Sequence, residues 1–448
     1  MGENSTMPAE LNLKSEDIDT IEKRSRYTIC VIGCGQKGIL YINAFAEAGF
    51  RVICTDADPT VIKKVAKGKT PNSQPQVEAK LKSYINSGKI SFSNERKKAV
   101  SQSDVIIIAI GAKVDKQKKI DYSQIVSACK QVGTALQRGT LVIYGATAGI
   151  GFTESIMKET LENTSGLKVG QDFGLAYGPI LAADRLNTNL ELNVAATDQA
   201  NLNAASIILN TITKKVKEIS DMKIAETAAL FTGAKRDANR AIANELAVFC
   251  EKANIDYYKV LKLLDSKDPS FWPNIVEEEN MNEACLLLDN AENLNVKLRL
   301  SALARQINED MVKHAVNLTQ NALKRGGKSL RRAKIAILGT AGPATTTEIF
   351  VKMIEQKGGK PNLYDSISKR GPQEWRVVKT SLNDAVEGTD CLVILTGQDQ
   401  FKNLNLKKLK VLMKTPPIIV DLIGIFEPNK VETKGFIYCG LGRGTDKN

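Results

Sequence analysis

Gly33-Cys34-Gly35-Gln36-Lys37-Gly38 has glycines at the first, third and sixth places, and Asp56 follows about 20 residues on. This spacing suits a phosphate-bearing ligand. Gly33 permits a tight turn, Gly35 lets backbone N–H groups approach a pyrophosphate, and Gly38 lets a helix pack closely on a strand. A helix N-terminus opening at this turn would add positive potential. Asp56 is placed to accept hydrogen bonds from ribose hydroxyls and to repel a 2′-phosphate, which points to NAD rather than NADP. The bland alternative is a glycine turn kept for packing. A second turn, Gly339-Thr340-Ala341-Gly342-Pro343, lacks the third glycine in register, and Pro343 removes an N–H donor. A weaker nucleotide site, or none, is expected there. His314 is the only histidine, so a His-based triad or multi-His metal site is excluded in practice. The eight cysteines contain no CxxC pair and are too sparse for a disulfide framework.

The elements around these residues follow from periodicity. YTICVI (27–32) reads as a buried strand, residues 39–48 as a helix and RVICT (51–55) as a second strand ending at Asp56. VIIIAI (105–110), LVIY (141–144) and FGLAY (173–177) are further strands, and a Gly-rich turn at 147–154 opens a helix. Continuous apolar strands alternating with helices predict a parallel, doubly wound sheet. From about Asp221 strand signals vanish, and residues 224–253 carry apolar positions at helical spacing. KIAIL (334–338) starts a second α/β series. The fold class is therefore α/β, with two Rossmann-like doubly wound domains joined by a central helical domain with a long linking helix. The expected division is a flexible leader (1–26), a nucleotide-binding domain (27–220), a helical and dimerisation domain (221–322) and a C-terminal Rossmann-like domain (323–448).

Composition narrows the partners. Lys plus Arg is 62 against 50 for Asp plus Glu, a net charge of +12 spread along the chain without aromatic interleaving. That disfavours nucleic acid and suits either plain solubility or an anionic small molecule. No apolar run approaches the ~20 residues that span a bilayer, so no membrane partner is expected. The cysteine usage suggests a reducing, cytoplasmic setting.

The order of motifs resembles the nucleotide-sugar dehydrogenases of the UDP-glucose and GDP-mannose dehydrogenase type, from Tyr27 to Arg443. The resemblance is carried by GCGQKG with TDADP (55–59), by Thr147, Gly151 and Thr153 in a Thr-x-x-x-Gly-x-Thr turn, and by Asn244-Glu245-Leu246-Ala247 on the long helix. Ala304 to Glu309 and the C-terminal run from Val420 to Gly440-Leu441-Gly442-Arg443 complete the series. It implies oxidation of a sugar C6 alcohol to a carboxylate in two NAD-dependent steps, with a Cys nucleophile capturing the intermediate aldehyde. It also implies a homodimer paired through the long helix. Cofactor contacts fall on Gly33, Gly35, Gln36, Lys37 and Gly38 of the turn, on Asp56, and on Gly111 and Thr147 after two later strands. The family's Gly-Gly-x-Cys-x-x-Lys-Asp segment matches Asn282 to Asp289, keeping Cys285 and Asp289 as catalytic candidates but neither glycine nor the lysine.

Other departures accompany these. The family's catalytic Lys and Asn, donors to a developing oxyanion, fall on Ala229 and Gly233. Its Pro-Glu carboxylate falls on Ile180, and the Arg of its Asp-x-Arg segment on Ile423. Lys235 and Arg236 are candidate substitutes for the lost positive charge, or an exposed basic helix face. Lys113 is a phosphate contact or a solvated loop residue. Arg443 is a substrate contact or a C-terminal packing residue. Cys285 is a nucleophile only if its pKa is lowered, and Leu286, Leu287 and Leu288 would instead bury it. Two functions stay open: an NAD-dependent oxidoreductase acting on a nucleotide-linked or otherwise anionic sugar, and a non-catalytic NAD-binding relative acting as a partner or regulatory protein.

Overall fold

The computed structural model describes residues 13–70, 75–115, 118–180, 191–264, 271–275, 282–339, 345–365 and 378–444. Thr340 to Pro343 of the second glycine turn lie outside them. The chain forms two compact units, Met1–Gly233 with Asn282–Val296, and Ala234–Met281 with Lys297–Asn448.

The first unit is built on β1 (Thr28–Ile32), β2 (Arg51–Thr55), β3 (Ile90–Phe92), β4 (Val105–Ile108), β7 (Leu141–Tyr144), β8 (Gly174–Tyr177), β9 (Glu191–Ala196) and β10 (Lys215–Ile219). A two-residue ribbon, β5 (Lys113–Val114) with β6 (Ile120–Asp121), stands apart. The large sheet runs β10-β9-β8-β7-β4-β1-β2-β3 and is parallel except where β8 meets β9. Within it, β3-β2-β1-β4-β7-β8 is the doubly wound order whose direction reverses between β1 and β4. Dinucleotides bind at the carboxyl ends beside such a reversal. All five residues of β1 and all four of β4 are buried, as strands covered on both faces require. The pair β9–β10 is an addition to the expected strands. β10 reads KVKEI with no buried residue, a charged edge strand that apolar periodicity does not reveal.

The expected flexible leader (1–26) needs correction where it is described. Ile18 is 2% exposed and joins the core of the first unit. Arg24 donates to the carbonyls of Ile18 and Ala48, at 2.6 and 3.2 Å. Burying Ile18 offsets the entropy of ordering this segment, which the charged composition had concealed.

Helix α1 (Gln36–Ala48) follows β1. Helix α2 (Met222–Ala253) runs 32 residues and passes from the first unit to the second at Gly233. Helix α3 (Asn282–Asn293) returns to the first unit, and α4 (Arg299–Arg325) belongs to the second. The helical stretch 221–322 is thus shared between the two units.

The second unit carries a five-stranded parallel sheet in the order β12-β11-β13-β14-β15. Its strands are β11 (Lys334–Leu338), β12 (Lys360–Tyr364), β13 (Cys391–Ile394), β14 (Ile418–Asp421) and β15 (Ile437–Gly440). A buried polar network joins α2 to α4. Arg305 donates to the Asp237 carboxylate at 2.8 Å, Asn308 donates to the same oxygen at 2.9 Å, and Asn244 donates to Asn308 at 2.9 Å. The Asn-Glu and Ile-Asn-Glu motifs therefore have structural work, since each amide satisfies polar groups that burial would otherwise orphan.

Candidate functional site

The turn after β1 has the geometry its glycines predict. Gly33 adopts φ +99°, a conformation that favours glycine. Its N–H donates to the carbonyl of Thr55 at 2.9 Å, which ties the turn to β2. A Cβ on Gly38 would lie 1.8 Å from the carbonyl oxygen of Gly33, so α1 leaves the strand at a distance only glycine allows. Gly35 caps α1, and nothing lies within 4 Å of where its Cβ would stand. The cradle in front of the first-turn N–H groups is open, which fits a pyrophosphate. Asp56 at the end of β2 accepts from Cys34 N–H at 2.7 Å and from Asp58 N–H at 3.0 Å. Each oxygen keeps further acceptor capacity for ribose hydroxyls. Cys34, within the turn, is fully buried, and burial pushes its thiol well up, so it is inert packing. Gln36 is half-buried beside it.

The other half of a dinucleotide belongs over β4, β7 and β8. The turns after β4 and β7 are joined there by Ala112 N–H donating to the Thr147 carbonyl at 3.3 Å, beside Gly111. Three side chains converge. Lys37 Nζ donates to Thr147 Oγ1 at 3.3 Å and lies 3.4 Å from Glu283 Oε1. Thr147 Oγ1 donates to that carboxylate oxygen at 3.2 Å. The Lys37 side chain is 15% exposed and that of Glu283 8%. A charge pair this enclosed is costly unless hydrogen-bonded, and Thr147 supplies the third partner.

Helix α3 brings Glu283 there. Asn282 donates to the carbonyl of Ala112 at 2.7 Å, and Asn290 accepts from Ile150 N–H at 3.0 Å, so α3 is pinned to both turns. Glu226, near the start of α2, accepts from the N–H groups of Gly151 and Thr153 and so holds the Gly-rich turn. Burial pushes its carboxyl up despite these bonds. Glu226, Asn282, Glu283 and Asn290 were all missed as site residues. For Asn282 and Glu283 a signal existed, because they occupy the two places where the family pattern has glycine.

The departures make sense together. A Cβ on Gly233 would stand 2.2 Å from the Cβ of Glu283, so the two helices touch where the family pattern has Asn on one and Gly on the other. Ala229, one turn earlier, is buried. Ile180 is also buried, and its N–H donates to Tyr41 Oη at 3.0 Å while Tyr41 donates to the carbonyl of Gly178 at 2.7 Å.

The remaining candidates are placed as follows. Cys285 is half-buried, two residues from Glu283 and so about 200° round the helix at 3.6 residues per turn. Asp289 lies one turn further along the Cys285 side, where burial foremost, and then the charge of Glu292, raises its carboxyl pKa. Lys235 and Lys113 are exposed and Arg236 is half-buried. Arg443 pairs with Asp256 and stacks over the Tyr258 ring at 4.2 Å, a packing arrangement within the second unit. His314 meets Glu251 at 2.9 Å. Among the described residues no group of His, Cys, Asp or Glu could hold a metal, and no helix is long and apolar enough to cross a membrane.

Comparison with known proteins agrees with this geometry. Residues 27–185 match the family model described as UDP-glucose/GDP-mannose dehydrogenase family, NAD binding domain, and residues 344–428 match the UDP binding domain of that family. The chain is 29% identical to UDP-N-acetyl-D-mannosamine dehydrogenase of Pyrococcus horikoshii, over 93% of this chain and 99% of that protein. It is 25% identical to UDP-glucose 6-dehydrogenase of Rhizobium meliloti, with the same coverage. Among solved structures, the UDP-D-ManNAc dehydrogenase of P. horikoshii superposes with a TM-score of 0.79 at 27% identity, covering 93% of this chain and 99% of that one. The UDP-N-acetyl-mannosamine dehydrogenase Cap5O of Staphylococcus aureus has the same fold, with a TM-score of 0.73 at 22% identity, covering 93% and 98%.

Proposed function

The chain belongs to the UDP-glucose/GDP-mannose dehydrogenase family, and on that premise we propose that it oxidises the C6 alcohol of a UDP-linked or other nucleotide-linked sugar toward the carboxylate. It is an NAD-dependent dehydrogenase whose substrate is a nucleotide sugar. When bound, NAD accepts a hydride from the carbon being oxidised. The observation that carries the reading is the open cradle at Gly35, with Asp56 behind it and a buried, hydrogen-bonded charge cluster beside Thr147.

The chain's own residues then divide the work. Gly33, Gly35 and the first turn of α1, from Gln36, hold phosphate, and Asp56 orients the adenosine ribose. Gly111 and Thr147 border the nicotinamide half. Cys285 serves as nucleophile toward the aldehyde of the first oxidation, with Asp289 one turn away on the same face. Lys235 and Arg236 are the cations offered to the anionic substrate, whereas Arg443, engaged by Asp256 and the Tyr258 ring, is a packing residue.

The test is NADH absorbance with a panel of UDP-, GDP- and dTDP-sugars, comparing the wild type with Cys285→Ala. Two NADH per sugar, lost in the variant, is the expected outcome. One NADH, indifferent to the substitution, would leave a simple alcohol oxidation. No NADH with any sugar, while calorimetry still records NAD binding, would leave a non-catalytic NAD-binding relative.

The protein pairs through α2. Ile242, Leu246 and Phe249 share one face at helical spacing and are 44, 45 and 63% exposed. Leu246→Glu combined with Phe249→Glu should convert a dimer to a monomer in analytical ultracentrifugation. An unchanged sedimentation coefficient would refute this face as the interface.

A further inference from the structure

We infer that Glu283 is the proton acceptor for the sugar hydroxyl in the first oxidation, held at the nicotinamide side of the glycine turn by Lys37 and Thr147. The inference rests on the dehydrogenase reading above and supplies the base that reading lacks; it concerns the alcohol oxidation alone and not the Cys285 step, since Cys285 lies about 200° round α3 from Glu283. The carboxylate position of the family pattern is Ile180, buried and apolar. The two donor positions on α2 are Ala229 and Gly233, neither with a polar side chain. Alcohol oxidation nevertheless requires that the hydroxyl proton go somewhere as the hydride leaves.

Three observations converge on Glu283. The first is steric. Gly233 removes a side chain from α2 where Glu283 Cβ would otherwise be 2.2 Å away, so a glycine on one helix makes room for a carboxylate on the other. The exchange moves a polar group from α2 to α3 instead of deleting it. The second is attachment. Asn282 and Asn290 fix α3 to the turns after β4 and β7, and Glu283 extends from it to Thr147 Oγ1 at 3.2 Å. Those turns end the strands of the nicotinamide half. The third is charge. Lys37 from the glycine turn lies 3.4 Å from the same oxygen, so a cation stands beside the carboxylate where an alkoxide would develop.

The step balances as follows. The hydroxyl O–H bond breaks and its proton passes to Glu283. The C–H bond breaks and its electron pair leaves with hydrogen as a hydride to the nicotinamide. A C=O bond forms, the sugar carbon is oxidised and NAD is reduced. Glu283 returns the proton to solvent when products leave. The charged and titratable groups facing Glu283 are Lys37 from α1 and Tyr177 from β8, whose phenol is raised by burial first and then by the charges of Glu226 and Glu283. Glu226 on α2 is engaged with the Gly151 and Thr153 N–H groups instead.

The experiment compares wild type, Glu283→Gln and Glu283→Asp, reading kcat against pH with a UDP-sugar and, separately, NADH affinity by fluorescence titration. Gln keeps an acceptor for Thr147 but cannot take up a proton. A general base is worth about 10²–10⁴-fold, so kcat of Glu283→Gln should fall by that factor, with the acid limb of the pH profile abolished. NADH affinity should stay within about threefold, and Glu283→Asp should recover part of kcat together with the acid limb. A purely structural pair would lose NADH binding and kcat together and keep the pH profile. Turnover and an acid limb that survive Glu283→Gln overturn the proposal alone. A wild type that binds NADH but oxidises no sugar overturns the dehydrogenase reading and the proposal with it.

Discussion

Gly233→Asn, which restores the residue of the family pattern, should destabilise the protein by about 2–3 kcal/mol, because it overpacks a contact that has no slack. The added Cβ would meet the Cβ of Glu283 at 2.2 Å and its Cα at 3.4 Å, so α3 must move away from α2. The melting temperature should fall by roughly 5–10 °C for a unit of this size. The variant should also lose activity, since α3 carries Asn282, Glu283 and Asn290 together to the turns after β4 and β7. Adding Glu283→Gly removes the clashing atom. The double variant should then melt above Gly233→Asn alone, even though a glycine in a helix itself costs about 1 kcal/mol. A coupling of at least about 1 kcal/mol is expected for residues in such contact. Strictly additive melting shifts would mean that the helices relax past one another and that the two substitutions are independent.

Gly38→Ala should abolish useful NAD binding. Its Cβ would stand 1.8 Å from the Gly33 carbonyl oxygen and 2.9 Å from the carbonyl carbon, both backbone atoms that cannot rotate away. Helix α1 must therefore lift off β1, taking its first-turn N–H groups away from the phosphate position. A displacement costing about 3 kcal/mol weakens binding roughly 100-fold. Isothermal titration calorimetry measures this directly, and NAD should no longer raise the melting temperature. Gly35→Ala is the matching control. Gly35 has φ −68° and nothing within 4 Å of its Cβ position, so the apo protein should melt like the wild type. Its methyl would nonetheless occupy the space in front of the helix N-terminus, and affinity for NAD should still fall. If Gly38→Ala binds NAD normally, the turn is a packing device and the phosphate lies elsewhere.

Much of the first unit was legible because its signals are local. A buried parallel strand announces itself by an unbroken apolar run, as in TICVI and VIII, and the glycines at 33 and 38 answer backbone demands of one six-residue turn. The long helix was equally plain, since thirty residues of apolar spacing allow no other element. Strand β10 was not plain, because a charged edge strand has no apolar face to betray it. Ile18 was hidden for the opposite reason, a single apolar residue in a charged segment whose burial depends on what it meets.

The sequence by itself determined the glycine turn with Asp56 at the end of the next strand, the two parallel sheets and the places where the family pattern is broken. Only the tertiary structure decided what the breaks mean. Thr147 and Glu283 are separated by 136 positions, and Gly233 and Glu283 by 50, yet the first pair shares a hydrogen bond and the second a helix contact. Periodicity reports how a segment relates to its own axis, and is silent on which turn of one helix faces which turn of another. That choice is made by close packing, in which a missing Cβ on α2 and an added carboxylate on α3 become one event.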